Sequence, residues 1–223
     1  MTARRAQTIQ KRSPGRPPGS TSEATRARIL AAARVCFART GYAATTNRDI
    51  GEHAGVSSAA LYLYFESKTA LYMATVSDAK DELIAHYKKA VAETTSLRDG
   101  IRALLVASAQ IHERDPSMSA FLSALPVEMQ RHDELLSAMV ESPNEIVEII
   151  EGIVEVGVRN GEIARAVAPQ VVSMFVAVAL GFSMFAATMR ASSLTGIIDA
   201  FNALVEGKLF DDVKKRGPRA KKK

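Results

Sequence analysis

The sequence predicts an all-α protein, and three observations lead to that prediction. Apolar residues recur at helical spacing, as Ile29, Ala33 and Phe37 do near the start of the chain. Helix start and stop residues separate these stretches, and the pair Asn160-Gly161 is a strong stop. No stretch of the 223 residues alternates apolar and polar side chains convincingly, as a half-buried strand does.

Four helices are predicted in the first third of the chain, at 22–41, 46–54, 57–64 and 67–91. Each begins next to a serine or threonine whose hydroxyl can accept a hydrogen bond from the first helical turn. Gly41 and Gly55 follow the first two helices, because glycine readily adopts the backbone conformation that ends a helix.

Prolines and capping residues divide the remaining chain into helices at 99–114, 116–125, 127–140, 145–160, 169–190 and 194–209. Pro116 and Pro169 open helices, where a missing amide hydrogen costs little, and Pro126 is expected to interrupt one. Residues 142–145 form a capping box with proline in the first turn.

Charge is distributed unevenly along the chain. The net charge is +5, but residues 1–20 carry five basic and no acidic side chains, and residues 214–223 carry seven basic ones. Residues 21–68 have six basic and four acidic groups, whereas 69–213 have eleven and twenty. A polyanion is therefore attracted to the N-terminal third and to the two ends. A terminal charge run is more often a solvated tail, so 211–223 is interpreted as a basic tail whose contact with DNA stays open.

Residues 45–68 have the pattern of a helix-turn-helix. A short helix, a break at Gly55 and a second short helix follow one another, and Ala54, Val56 and Leu61 are spaced to pack the two helices together. The second helix begins with small polar residues, so that its first turn can approach DNA closely, as a recognition helix does.

The stretch from Ala27 to Leu71 resembles the N-terminal domain of TetR-family transcriptional regulators. The resemblance rests on Phe37, Gly41-Tyr42, Thr45-Thr46, Arg48-Asp49-Ile50, Ala54-Gly55-Val56-Ser57, Leu61-Tyr62, Tyr64-Phe65 and Ser67-Lys68. Beyond this stretch the chain matches the family only in the number and length of its helices. The resemblance implies a helix-turn-helix DNA-binding domain at 21–68 and a larger helical domain at 69–210 for effector binding and dimerisation.

Carried over position by position, the family pattern implies nine DNA-binding residues in this domain. They are Thr46, Asn47, Arg48, Ser57, Ser58, Ala59, Tyr62, Tyr64 and Lys68. Lys68 is expected to clamp a phosphate, and both tyrosines are interpreted as part core and part contact. The sequence departs from the family at Ser58, where lysine or arginine is frequent, and at Ala59, where glycine is frequent. Arg48 is then the best bidentate base reader in the motif.

Residues 1–20 are rich in proline and glycine and are expected to be disordered when free. Arg16 lies in a Gly-Arg-Pro core that resembles an AT-hook, which lays arginine into the minor groove of A·T-rich DNA. A solvated arm and an arm that touches only phosphates are the alternatives.

The resemblance also implies a small-molecule effector bound between the long fourth helix and the helices after it. Flexible methionine and phenylalanine side chains are frequent there, which favours a lipophilic molecule. The candidate contacts are His86, Phe121, Met139, Met174, Phe175 and Phe182, and a plain core role is the alternative for each apolar one. No cofactor is expected, and His86, His112 and His132 are too isolated to form a metal site.

The family's last two helices pair in a dimer, here 169–190 and 194–209, where small residues allow close approach. A dimer presents two recognition helices to successive major grooves, so a pseudo-palindromic operator is expected. The resemblance thus implies a repressor that occludes a promoter and that the effector releases, although the residues alone do not distinguish repression from activation.

Three other interpretations were weighed against a regulator. Residues 171–189 carry no charge and are long enough for a membrane span, but they are rich in small residues, so no membrane partner is expected. An enzyme is disfavoured, because Gly181-Phe182-Ser183 lacks the rest of a nucleophile elbow. An architectural DNA-binding protein shares the motif.

The absence of a leader pattern and the single cysteine, Cys36, favour a cytoplasmic, nucleoid-associated protein, with Cys36 buried rather than redox-active.

Overall fold

The structure is a computed structural model that describes residues 22–139, 144–188 and 194–209. Every regular element within these ranges is a helix, which confirms the all-α class. The helices are α1 Ser22–Ala44, α2 Asn47–Ala54, α3 Ser58–Leu61, α4 Lys68–Val91, α5 Leu97–Arg114, α6 Pro116–Arg131, α7 Asp133–Ala138, α8 Glu145–Arg159, α9 Ala168–Thr188 and α10 Leu194–Val205. The predicted arm at 1–20 with Arg16, the tail at 211–223, Ser142-Pro143 and residues 189–190 of the ninth helix lie outside the described residues.

Most predicted boundaries agree with the structure to within three residues. Larger differences occur at the end of α6, at the start of α7, which begins at Asp133 rather than 127, and at the end of α10, which ends at Val205 rather than 209. The first helical stretch of α1 stops at Gly41, as predicted, where the backbone is non-helical at φ 77° and ψ 173°, and a short further turn ends at Ala44. Helix α6 continues through Pro126 to Arg131. The burial of Met129 beyond the proline compensates for the amide hydrogen bond that is lost and for the clash of the ring with the preceding turn. Helix α3 ends at Leu61 rather than near Tyr64, because the next residues turn back onto it.

An aromatic cluster joins α1 to α4 and α6. The ring of Phe37 lies 4.8 Å from the ring of Tyr72 and 6.3 Å from that of Phe121, measured between centroids. Tyr72 also meets Phe121 at 5.3 Å and Tyr42 at 5.2 Å. These edge-on and stacked contacts hold the first helices of the chain against the helices that follow.

Helix α5 is the centre of the remaining bundle. It packs against α4, α6, α8, α9 and α10, and its buried side chains include Ile101, Leu104, Leu105 and Ile111. Gly100 and Gly157 bring α5 and α8 close together, because a Cβ at Gly100 would lie 2.5 Å from Ile153 and one at Gly157 would lie 2.8 Å from Leu97. The core of the bundle thus forms around one central helix.

Helix α9 is apolar on two faces, and only one of them is covered. Phe175, Phe182 and Ala186 point into the core, while Met174, Leu180 and Met184 are exposed. The segment Arg165–Thr188 is long and apolar enough to cross a membrane, and 17% of its most apolar window is buried. The exposed face of α9 therefore needs an explanation that the single chain does not provide.

Replacement of Phe37 by alanine is expected to lower the free energy of unfolding by about 3–5 kcal/mol, because a large void opens among three other aromatic rings. Urea denaturation would measure the change. Val35→Ala on the same helix is the control, since Val35 is exposed and its truncation should change stability by about 0.5 kcal/mol or less. Equal losses for the two variants would contradict the role of the cluster.

Candidate DNA-binding surface and effector cavity

Helices α2 and α3 form a helix-turn-helix whose turn depends on two glycines. Gly55 ends α2 with a left-handed backbone at φ 67° and ψ 35°, which glycine adopts without strain. Gly51 lies against the turn so closely that a Cβ would come within 2.8 Å of the Val56 carbonyl oxygen. Ile50, Ala54 and Leu61 fill the space between the helices. The sequence pattern did not single out Gly51.

The start of α2 is fixed by a capping box. The Asp49 amide donates to the Thr46 hydroxyl at 3.2 Å, and the Thr46 amide and hydroxyl donate to the Asp49 carboxylate at 3.0 and 2.6 Å. The hydrogen bonds from Thr46 lower the pKa of Asp49. Asn47 begins the helix with its side-chain oxygen buried and without a partner in the described part of the chain. Thr46 is thus exposed but already engaged with Asp49.

The first turn of α3 faces outward. Ser57 caps the helix by accepting a hydrogen bond from the Ala60 amide at 3.1 Å, and Ser57 and Ala59 are both exposed. Ser58 is half-buried. A short helix that begins in this way presents small side chains and backbone to an approaching surface.

The two candidate tyrosines have different environments. Tyr62 is 58% exposed, whereas Tyr64 is half-buried and packs against the core. Leu63 between them is 85% exposed, the highest value among the exposed large apolar side chains of the described residues. Leu63 was not predicted from the sequence, although its place between two candidate DNA-contacting tyrosines is a signal that could have indicated it.

Arg48 lies on the outer face of α2 and is 82% exposed. Its Nε donates to Glu52 Oε1 at 3.0 Å, one turn along the same helix. An exposed pair at this spacing contributes little to stability, so the guanidinium can exchange Glu52 for another acceptor at small cost.

Lys68 has contacts inside the protein. Its Nζ donates to the Ala43 carbonyl oxygen at 3.0 Å and lies 4.6 Å from the centre of the Tyr42 ring. Burial lowers the pKa of Lys68, and the carboxylates of Glu134 and Glu128 act in the opposite direction. Lys68 therefore ties the end of α1 to the start of α4, in addition to any contact with a phosphate.

A cavity of about 230 Å³ lies between α4, α5, α6, α8 and α9. Its walls are largely apolar and include Leu83, Ile111, Leu122, Ile150 and Val176. The volume exceeds the roughly 150 Å³ at which an apolar cavity accepts benzene. The cavity is thus large enough for a small organic molecule, in the region where the sequence analysis expected one.

The six predicted effector residues do not line this cavity. Phe121 belongs to the aromatic cluster, Phe175 is buried in the core, and Met139 and Met174 are exposed. His86 has a buried Nε2 without a partner in the described ranges. Phe182 lines a second apolar cavity, also of about 230 Å³, between α5, α9 and α10. The lining residues of the first cavity come from five helices, a combination that sequence periodicity cannot specify.

A buried guanidinium connects α1 to the helices around the cavity. Arg34 Nη2 donates to Asp115 Oδ2 at 2.5 Å, and Nη1 lies 3.4 Å from Glu82 Oε2 and 4.0 Å from Asp78 Oδ2. Nη1 also lies 3.9 Å from the sulfur of Met118, a residue that lines the cavity. One side chain of α1 therefore contacts α4, the first residues of α6 and a wall of the cavity.

Asp115 holds Arg34 and also caps α6. Its Oδ1 accepts hydrogen bonds from the Ser117 amide at 2.9 Å and from the Ser117 hydroxyl at 2.6 Å. Burial by itself raises the pKa of Asp115, but the hydrogen bonds from Ser117 and the positive charge of Arg34 outweigh it, so the pKa is lowered. Asp115 is thus ionised at neutral pH. Within the described ranges, no group of three or more potential metal ligands occurs.

Comparison with known proteins identifies the family. The family model of the bacterial regulatory proteins, tetR family, matches residues 29–75, which contain the helix-turn-helix. The transcriptional repressor KstR2 of Rhodococcus jostii is 30% identical over 136 residues, which are 61% of this chain and 66% of that protein. The chain belongs to the TetR family. The transcriptional activator FasR of Mycolicibacterium smegmatis is 32% identical to this TetR-family protein over 117 residues, which are 49% of the chain and 53% of the activator.

Both of these relatives are matched over less than two thirds of their own length. The regulator FadR of Bacillus subtilis, solved in complex with stearoyl-CoA, has the same fold, with a TM-score of 0.66 and 16% identity. The similarity covers 82% of this TetR-family chain and 98% of FadR. A helix-turn-helix domain followed by a larger helical domain is therefore the shared architecture.

Replacement of Asp115 by asparagine is expected to lower the free energy of unfolding at pH 7 by about 1.5–3 kcal/mol, the range for a hydrogen bond to a charged group. Because the folded-state pKa of Asp115 lies below the unfolded value of about 3.9, its contribution is present above that pH and disappears as the pH falls through the folded value. Urea denaturation from pH 7 to pH 3 would measure both effects.

The difference between the wild type and Asp115→Asn should therefore shrink at acid pH. Asp81→Asn is the control, because Asp81 is exposed on α4 and makes no ion pair within the described residues. A difference that stays constant from pH 7 to pH 3 would show that the ionised carboxylate is not what stabilises the contact.

Proposed function

We propose that the protein is a transcriptional regulator that binds an operator as a homodimer and that a small, largely apolar effector releases it. The observation that carries the proposal is the outward presentation of Ser57, Ala59, Tyr62 and Leu63 on a helix-turn-helix. These side chains have no function in the core, and their small first turn suits entry into a major groove. The helices up to Lys68 act as the DNA-binding domain, and the later ones bind the effector and the second copy.

In this proposal, Arg48 and Tyr62 contact bases, Ser57 and Ser58 contact the DNA at the start of the recognition helix, and Thr46, Asn47 and Lys68 face phosphates. Leu63 joins them as an apolar contact, since an exposed leucine beside a recognition helix suits the methyl group of thymine. Tyr64 contributes mainly by supporting its neighbours from the core.

The exposed faces of α9 and α10 support a homodimer. Seven of the fifteen exposed large apolar side chains of the described residues lie on these two helices. Ser173, Ala177 and Gly181 are exposed at intervals of four residues on α9, which leaves a line of small side chains for close helix approach. A second copy covers this surface and presents the second recognition helix that a pseudo-palindromic operator requires.

A membrane is a poorer partner for α9 than a second copy. The opposite face of α9 packs on α6 and α8 and places Phe175 and Phe182 in the core, so the helix cannot enter a bilayer without leaving the fold. We therefore propose a cytoplasmic protein that associates with DNA.

The cavity supports control by an effector. The Bacillus subtilis FadR structure holds stearoyl-CoA, and an apolar cavity in the same fold suits a molecule with an apolar body. Met118 lies between this cavity and Arg34, so a ligand that displaces Met118 changes the contact between α1 and α6. Effector binding then alters the position of the DNA-binding helices through the residues that hold α1.

Repression is the direction that we propose, because a dimer bound at a promoter occludes it without further contacts. KstR2 is named a repressor and FasR an activator, so both directions occur among the relatives.

An architectural DNA-binding protein is the second candidate, because it needs the same motif. Competition with scrambled duplexes distinguishes it, since an architectural protein would bind the operator and the scrambled sequence alike.

Arg48→Ala is expected to weaken binding to a duplex selected from a random pool by about 1–3 kcal/mol and to relax specificity at one base pair. Fluorescence anisotropy with single-base variants of the selected duplex would measure both effects. Glu52→Gln is the matched control, because it frees the Arg48 guanidinium without removing it and should not weaken binding.

Lys68→Ala provides the contrasting variant. It should weaken all duplexes by a similar factor and flatten the dependence of affinity on salt, as loss of a phosphate contact does. If Arg48→Ala leaves both the affinity and the base preference unchanged, α2 is placed wrongly on DNA.

Gly181→Glu is expected to convert the dimer to a monomer and to weaken operator binding by about 100-fold, since the two DNA-binding domains then bind separately. A Cβ at Gly181 meets nothing within 4 Å in the single chain, so the fold of each copy should persist. Gly152→Glu on α8 is the matched control, because its Cβ also meets nothing within 4 Å. Light scattering and anisotropy would measure the mass and the affinity. A Gly181→Glu variant that remains a dimer would disprove the assignment of this interface.

A further inference from the structure

The cavity between α4, α5, α6, α8 and α9 contains one charged side chain among its described lining residues, Lys80 of α4. The other polar lining groups are the hydroxyls of one tyrosine and four serines and the amide of Asn144. Lys80 is half-buried and lines an otherwise apolar cavity, so its ammonium group is the charge that would attract an anionic molecule to this site. The cavity therefore suits a molecule that carries a negative charge.

No carboxylate of the described residues forms an ion pair with Lys80, although acidic residues surround it in the sequence. Asp78 and Glu82 face Arg34, and Glu82 also pairs with Arg114. Lys88, two turns further along α4, is paired with Glu145 at 2.6 Å. The arrangement satisfies these neighbouring charges and leaves the ammonium group of Lys80 available.

Two turns along α4 from Lys80, the polar groups of the cavity wall are already hydrogen-bonded within the protein. The hydroxyl groups of Tyr87 and Ser108 lie 2.7 Å apart, and Ser108 donates to the Leu104 carbonyl oxygen at 2.9 Å. Tyr87 therefore donates to Ser108, and both donors are satisfied within the protein. Lys80 and Tyr87 are seven residues apart on one helix, which corresponds to about 10 Å along its axis.

We propose that the effector is an anionic amphiphile, with its carboxylate or phosphate group at Lys80 and its apolar body extending toward Tyr87. Lys80 then determines specificity, because it favours anionic molecules over neutral and cationic ones of the same length. The proposal rests on the effector cavity of the proposed function and adds the chemical class of the molecule that occupies it.

The test measures calorimetric binding of four twelve-carbon probes to the full chain, each below its micelle-forming concentration. The probes are dodecanoate, dodecyl phosphate, dodecanol and dodecyltrimethylammonium. At least one anionic probe should bind more than about tenfold tighter than dodecanol, and the cationic probe should bind more weakly than dodecanol. The two anionic probes distinguish a carboxylate from a phosphate. Equal affinities for dodecanol and both anions would overturn the proposal.

Three variants locate the charge recognition. Lys80→Gln should weaken the anionic probe by about 10- to 100-fold and leave dodecanol unchanged, while Lys80→Arg should retain most of the affinity. Lys89→Gln is the matched control, since Lys89 is exposed on the same helix and does not line the cavity. A Lys80→Gln variant that binds the anionic probe as the wild type does would refute the role of Lys80.

A fourth variant tests the position of the apolar body. Val147→Phe introduces a larger side chain into the cavity wall and should weaken all probes, with thermal unfolding monitored to confirm that the chain still folds. Undiminished binding to a folded Val147→Phe variant would place the probes elsewhere and overturn the proposal.

Failure of this proposal is distinguishable from failure of the proposed function. Operator binding by the ligand-free wild type tests the regulator by itself, and calorimetry tests the amphiphile without any DNA. A chain that binds its operator but shows no preference for anionic probes would refute only the assignment of Lys80. A chain that binds anionic probes through Lys80 but no duplex would refute only the regulator.

Discussion

The contact of Arg34 with Asp115 is the interaction on which the arrangement of the two halves depends. A guanidinium on α1 is largely removed from water and faces carboxylates from α4 and from the start of α6. Removal of Asp115 would take away the shortest ion pair of a largely buried guanidinium and leave it the longer contacts with Glu82 and Asp78, which is more costly than the loss of a surface pair. The position of α1, and with it the helix-turn-helix that α1 supports, therefore depends on where Asp115 and α6 lie.

This dependence gives the cavity a route to the DNA-binding surface. Met118 belongs to the first turn of α6, touches Arg34 and forms part of the cavity wall, and Asp115 caps the same turn. The aromatic rings of Phe37, Tyr72 and Phe121 provide a second, apolar contact between the same helices. Because packed side chains move as units, a ligand that shifts α6 would displace α1 rather than deform it.

The DNA-binding half was largely predictable from the sequence, and the cavity was not. Caps such as Ser57 and Ser67 and stops such as Gly55 act within a few residues, so their pattern reveals the helices directly. The cavity lining combines side chains from five helices, and no local pattern indicates which of them face the same space. The apolar character of Phe121 and Phe175 correctly indicated burial but did not distinguish a core position from a ligand contact.

Helix α9 shows why hydropathy alone left two interpretations open. A bilayer, a protein core and a helix–helix interface all favour apolar side chains. A helix that packs on a core and also has an apolar outer face therefore has the length and hydropathy of a membrane span. The structure separates the faces: Phe175, Phe182 and Ala186 point into the core, and Ser173, Ala177 and Gly181 form a line of small residues on the opposite side. Such a line suits close packing against another helix, and the burial of Phe175, Phe182 and Ala186 holds the other face of α9 in the core of the chain. The buried face of α9 accounts for part of its apolar character, and the proposed dimer interface would account for the rest.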